Sequence, residues 1–249
     1  MIKHIPYLLL SALFLACNSE NANDCFQTSG TVIQHTVTVT PFDKITVNEG
    51  IEMVIEEGIT HEVVVEAGDN LLNDIQVDVV NDRLILSNHN SCNFFRNYDP
   101  AKVYVTAPNI TEIRSATPSD IRSEGVLNYP QLHILSEDYS GDYLNSGDFY
   151  LTVNTTDFRV TFNSLSNCFI SGETETLHIA YASGNSRFEG GNLIARQIDI
   201  LHRSSNDIII HPTEVLEGDI LSTGHIIALN EPPTVNVVEH YKGKLIFQN

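Results

Sequence analysis

Tryptophan is absent from this chain, and methionine occurs only twice in 249 residues. Basic residues are scarce: 13 Lys and Arg stand against 32 Asp and Glu, a formal net charge of -19. Nucleic acid and anionic lipid surfaces both need the opposite balance, so neither is expected as a partner. Only 18% of residues are charged, which excludes wholesale disorder. No window sustains an apolar period of 3.6 residues, so a helical fold is excluded as well. There is no CxxC pair, no G-x-S-x-G elbow, no H-E-x-x-H, no P-loop and no G-x-G-x-x-G. No cofactor is expected. No apolar run reaches the roughly 20 residues that a membrane-spanning helix needs.

The longest apolar run is Tyr7 to Ala16, preceded by Lys3. Its length and flank fit the core of an export signal. Cys17 follows at once, and Leu13-Phe14-Leu15-Ala16-Cys17 resembles the lipobox of bacterial lipoproteins. That resemblance implies cleavage after Ala16 and lipidation of the Cys17 thiol. Residues 1–16 then form the signal peptide and residues 17–30 a lipidated tether. The polar stretch NSENAND after Cys17 is similar to the acidic export signal of Bacteroidetes-type surface lipoproteins. The implied partner is a membrane reached through the lipid anchor, with the chain exported to the outer membrane, on its surface or periplasmic face.

Three cysteines remain, and exported proteins meet an oxidising compartment. An odd number leaves one unpaired. Cys25 opens the fold and Cys92 lies in the polar loop SNHNSCNFFRNYDP, both segments that would fray without a staple. Cys168 sits within an apolar strand-like run, where a thiol behaves as a small hydrophobe. The expected pairing is Cys25–Cys92, with Cys168 free and buried.

Strand signals dominate residues 31–107: Thr31–Thr40, Ile45–Val47, Ile51–Ile55, Glu62–Glu66, Ile75–Val80, Arg83–Ser87 and Lys102–Thr106. Asn81-Asp82 reads as a two-residue hairpin turn. Only Asp69–Asp74 looks briefly helical.

Residues 108–249 repeat. Ile110, Leu132, Phe158, Leu177, Ile198 and Leu216 align, and two residues further on stand Glu112, Ile134, Val160, Ile179, Ile200 and Gly218. Eleven residues on stand Ile121, Tyr143, Phe169, Phe188, Ile209 and Ile227. Turns rich in Ser, Gly, Asn and Asp separate them. A period of about 20 residues in strand-rich sequence signals a solenoid, in which stacked coils bury one continuous core. A β-sandwich is the rival fold, but it needs no recurring turn composition at fixed phase.

The turns Ser140-Gly141-Asp142 and Ser183-Gly184-Asn185 carry a more specific resemblance. Degenerate copies stand at Ser119-Asp120, Ser205-Asn206-Asp207 and Ser222-Thr223-Gly224. Together with Phe42-Asp43-Lys44-Ile45-Thr46-Val47, Gly50-Ile51-Glu52 and Asn70-Leu71-Leu72, they resemble the head GIN domain family of auto-transporter adhesins over roughly residues 32–230. The resemblance implies an all-β, right-handed parallel β-helix of the pectin-lyase kind and an adhesive role without catalysis. A glycan or an extracellular protein is the partner expected.

The competing function is a β-helical polysaccharide lyase or hydrolase using paired carboxylates. Glu137, Asp138 and Asp142 form the densest acidic cluster. His133 and His178 share one outward phase with Arg159 between them, which suits a polar ladder better than a metal centre. His202 falls at an inward phase as a core histidine. Asp120, Asp142 and Asp207 stack in the turns, where clustered oxygens could hold Ca²⁺, although the G-G-x-G-x-D calcium repeat is missing. Aromatics gather at Phe94, Phe95 and Tyr98, and again at Tyr139, Tyr143, Phe149 and Tyr150. Phase places Tyr143 inward and Tyr139 at the surface.

Overall fold

Alternating β-branched and polar residues make strands almost throughout. The computed structural model describes residues 29–90, 100–137 and 145–248. In chain order the strands are β1 (Val32–Val37), β2 (Lys44–Asn48), β3 (Ile51–Glu57), β4 (Glu62–Gly68), β5 (Ile75–Val80) and β6 (Arg83–Asn88). Then come β7 (Ala101–Ala107), β8 (Glu112–Ala116), β9 (Ile121–Leu127) and β10 (Gln131–Ser136). Four long strands follow: β11 (Phe149–Phe162), β12 (Cys168–Tyr181), β13 (Phe188–His202) and β14 (Ile208–Ile220). The last are β15 (Ile226–Ala228), β16 (Thr234–Glu239) and β17 (Leu245–Phe247). Among the described residues these seventeen strands form one sheet, nearly closed into a barrel. The expected helical stretch is a single 3-10 turn at Leu72–Asp74. The hairpin turn is as expected: Asn81 and Asp82 both take positive φ, and β5 pairs antiparallel with β6.

The pairings run in two columns. The first is β5, β6, β2, β8, β10, then the C-terminal halves of β11 to β14, then β16. The second is β1, β4, β7, β3, β9, then the N-terminal halves of β11 to β14, then β15 and β17. From β7 onward every pairing between successive coils is parallel. Each long strand crosses from one column to the other, and its inward phase flips at the corner. In β11 the buried residues run Phe149, Leu151, Val153 and Thr155, then Phe158, Val160 and Phe162.

Ile134, Val160, Ile179 and Ile200 stand in register and are all buried, as the repeat alignment requires. The alignment is one residue out in two places. In the first coil Ile113, not Glu112, lies opposite Ile134. In the second column the inward line is Ile121, Phe149, Cys168, Phe188, Ile208 and Ile226. Phe169, Ile209 and Ile227, expected inward, face out. The cause is the connection between columns: it is one residue longer from Tyr181 to Phe188 than from Phe162 to Cys168. A fixed offset of eleven therefore holds for Phe188 and fails for its neighbours.

Cys168 is free and fully buried. Burial pushes its thiol well above the usual range, with a hydrogen bond from Tyr181 opposing in part, so it stays protonated and inert. Cys17, Cys25 and Cys92 lie outside the described residues.

His202 is buried in register between Tyr181 and Ile220. Neither ring nitrogen makes a hydrogen bond of good geometry among the described residues, although the backbone at Gly224 and His225 lies against the ring. Burial lowers its pKa to about 4, the Asp207 carboxylate opposing in part. In the unfolded chain the imidazole takes up a proton near pH 6.5. The folded state binds fewer protons between the two values, so stability falls as pH drops from 6.5 toward 4. The loss expected from this group is roughly 3 kcal/mol at the acid end. Urea titrations at pH 7 and pH 4.5 should show a smaller acid loss for His202→Phe than for the native chain. Equal losses in both proteins would contradict the assignment.

Candidate functional site

The outer faces of the two columns differ in chemistry. On the first, outward residues stack as Arg83, Lys44, Glu112, His133, Arg159, His178, Asp199 and Glu217. His133 and His178 are thus separated by Arg159, as the repeat implied. Most of these groups are paired locally. Arg83 donates to Glu112 at 2.7 Å, and Arg159 forks onto Asp157 with two bonds of 2.8 Å. That fork holds the Asp157 carboxyl below its ordinary range. His133 shares a 2.8 Å bond with Thr161, and partial burial lowers its pKa. His178 lies 3.4 Å from Asp199. Among the described residues no group of three or more His, Cys, Asp or Glu could hold a metal ion.

The described members of the carboxylate sets considered for catalysis or calcium are engaged elsewhere. Glu137 pairs with Arg114 at 3.5 Å; Asp138 and Asp142 lie outside the described residues. Asp120 accepts the Asp148 N–H at 3.1 Å and Arg122 at 2.6 Å. Asp148 in turn accepts the Asn167 N–H at 2.8 Å, and Asn167 accepts the Arg187 N–H at 3.0 Å. Asp207 accepts the His225 N–H at 2.9 Å. Each side chain ties its turn to the next coil, satisfying a backbone donor at the strand entry. These turn acids are structural.

On the second column the outward line reads Tyr104, Val54, Arg122, Tyr150, Phe169, Glu189, Ile209, Ile227 and Ile246. At about 4.8 Å per strand it extends for roughly 38 Å. Seven of its nine members are aromatic or aliphatic, an unusual run for an outward face. Phe169 and Ile246 are exposed, the others half-buried. Tyr150 and Phe169 stack with centroids 4.7 Å apart and planes 4° from parallel. The Arg122 guanidinium covers the Tyr150 ring at 3.9 Å, held from behind by Asp120. Glu189 is paired with Arg187. Both charges in the line are therefore neutralised, and the strip offers apolar edges to a partner.

Of the aromatics gathered by sequence, Phe149 is core, Tyr150 is on this strip, and Phe94, Phe95, Tyr98, Tyr139 and Tyr143 lie outside the described residues. The strip itself was not anticipated. Its signal is the run of consecutive apolar residues at Cys168-Phe169-Ile170, Ile208-Ile209-Ile210 and Ile226-Ile227-Ala228, which puts apolar side chains on both faces of one strand.

Solved structures share this architecture. A putative adhesin from Bacteroides fragilis superposes with a TM-score of 0.77 at 20% identity, covering 88% of this chain and 98% of that one. A putative adhesin from Parabacteroides merdae gives 0.59 at 16% identity, over 88% and 97%. A putative lipid binding protein from Parabacteroides distasonis gives 0.61 at 12% identity, over 88% and 98%. At these identities the likeness is one of fold. No curated protein matches the chain. The family model described as "Putative auto-transporter adhesin, head GIN domain" matches residues 41–232, which takes in β2 to β15, the turn ladders and every member of the strip but Ile246. By that match the chain belongs to the head GIN domain family of adhesin-like proteins.

Proposed function

We propose that this chain is a non-catalytic, lipid-anchored envelope protein that adheres to a partner through the outward strip of the second column. The observation that carries the reading is the strip itself: a neutral, mostly apolar line on a molecule of net charge -19. Desolvating it costs little, whereas desolvating the ionic ladder on the opposite column would cost much. One face of the Tyr150 ring is covered by Arg122 and the other by Phe169. A sugar ring would stack on such a face, so an extracellular protein surface fits better than a glycan. The two columns are wound, in this reading, as a right-handed parallel β-helix over residues 108–249, with residues 31–107 forming its N-terminal β portion.

The anchor belongs to the same proposal. The apolar run ending at Ala16, Cys17 and the polar tether after it support lipidation, with outer-membrane placement. Cys17→Ser should move the protein from the membrane to the soluble fraction and abolish incorporation of radiolabelled acyl chains. Unchanged partitioning would reject the anchor. A Cys25–Cys92 disulfide would close a loop of about 67 residues, worth roughly 4 kcal/mol in the chain-entropy model. Peptide mapping without reduction tests it, and a linkage to Cys168 instead would overturn it.

A further inference from the structure

The two ends of the columns are built differently. At the C-terminal end, β16 and β17 each pair on one side only among the described residues. This edge is blocked by charge. Glu239 occupies the register position beyond core Ile220, where it accepts from Lys244 Nζ at 2.6 Å and from the Leu245 N–H at 2.9 Å. An inward-pointing charge with a lysine beside it is how a sheet prevents further strands from adding.

At the opposite end β1 and β5 also pair on one side only among the described residues. They read Val-Ile-Gln-His-Thr-Val and Ile-Gln-Val-Asp-Val-Val, with no Lys, Arg, Pro or Gly. Between them opens a cleft of about 440 Å³, lined by His35, Val37, Leu72, Asn73, Ile75 and Val77. Among the described residues, none of the devices that guard the other edge is present here.

We propose that this mouth accepts an extended segment of a partner protein as an added strand, apolar at alternate positions and carrying Lys or Arg between them. A row of N–H and C=O groups with no strand partner among the described residues, beside an apolar cleft, calls for a ligand that supplies a matching backbone. An acyl chain fills the cleft but leaves that row unmet. Strand alternation fixes the pattern: every second residue of the guest meets Val37, Ile75 and Val77, and the others lie on the outer face beside Asp78. Asp78 is exposed and has no ion pair among the described residues. The net charge of -19 draws a basic guest and repels a second copy of this chain. This site is separate from the outward strip and does not depend on it.

The test is fluorescence anisotropy of a labelled short peptide of alternating valine and lysine, titrated with the full chain at low salt. Saturable binding is expected. N-methylation of alternate peptide amides, which removes the donors of one edge, should weaken it by roughly tenfold or more. Asp78→Lys, at an exposed site that the fold tolerates, should weaken it by roughly threefold and favour the valine–glutamate peptide. Absence of binding overturns the proposal, as does binding indifferent to N-methylation. Displacement of the peptide by dodecanoate alone, with no effect of N-methylation, assigns the cleft to a lipid and also overturns it. So does concentration-dependent dimerisation that the peptide does not compete. Adhesion to an extracellular protein that survives Asp78→Lys while the peptide fails to bind would leave the strip standing and reject only the mouth.

Discussion

Ile179→Asp is expected to unfold the protein or to cost more than about 4 kcal/mol, whereas Asn185→Asp should stay within about 0.5 kcal/mol of the native chain. Ile179 is buried between Val160 and Ile200 of the adjoining coils, with further apolar residues across the core. A carboxylate there would have no cation and no backbone donor within the column, because the neighbouring N–H and C=O groups are already paired between strands. Asn185 is exposed in the turn after β12, and its Oδ1 accepts from Ser205 at 2.9 Å. An aspartate keeps that acceptor. Guanidinium titrations of the two variants decide the point, and equal tolerance would mean that the register of the column is wrong.

Gly172→Ala should be nearly as damaging, at about 3–5 kcal/mol. Gly172 has φ of 112°, and a methyl group on its Cα would sit 1.9 Å from the Val153 carbonyl oxygen of the preceding coil. The backbone of one coil approaches the next too closely for any side chain, and both coils are locked by pairing on either side. Gly125 is the control. It too has positive φ, 76°, but nothing lies within 4 Å of the added carbon. Gly125→Ala should therefore cost only the backbone term, about 1–2 kcal/mol. Similar losses at the two positions would show that the coils are not packed as closely as the structure has them.

Much of the fold is legible in the residues. Alternation located nearly every strand, and the spacing of Leu132, Phe158, Leu177, Ile198 and Leu216 matches the observed register of the first column. Two features escaped. β2 inserts between β6 and β8, so the register of the first coil is fixed by a strand distant in sequence, and no local pattern carries that information. The phase of the second column depends on a one-residue difference between connections, too small to read from a degenerate repeat. The wrong phase conceals the outward strip, because it turns Phe169, Ile209 and Ile227 toward the core. The ionic ladder through His133, Arg159 and His178 was legible, since it shares strands with the correctly phased column. The mouth was not, because which strands end a sheet is a matter of topology alone.

The measurement that bears most directly on the account is an array of extracellular matrix proteins and glycans probed with the native chain, Phe169→Asp, Ile209→Lys and His178→Ala. The strip predicts retention of a protein partner by the native chain and by His178→Ala, and its loss from both strip variants while their thermal stability stays close to native. Retention by all four proteins would contradict the strip, and polysaccharide cleavage abolished by replacing a single carboxylate would contradict the non-catalytic reading altogether.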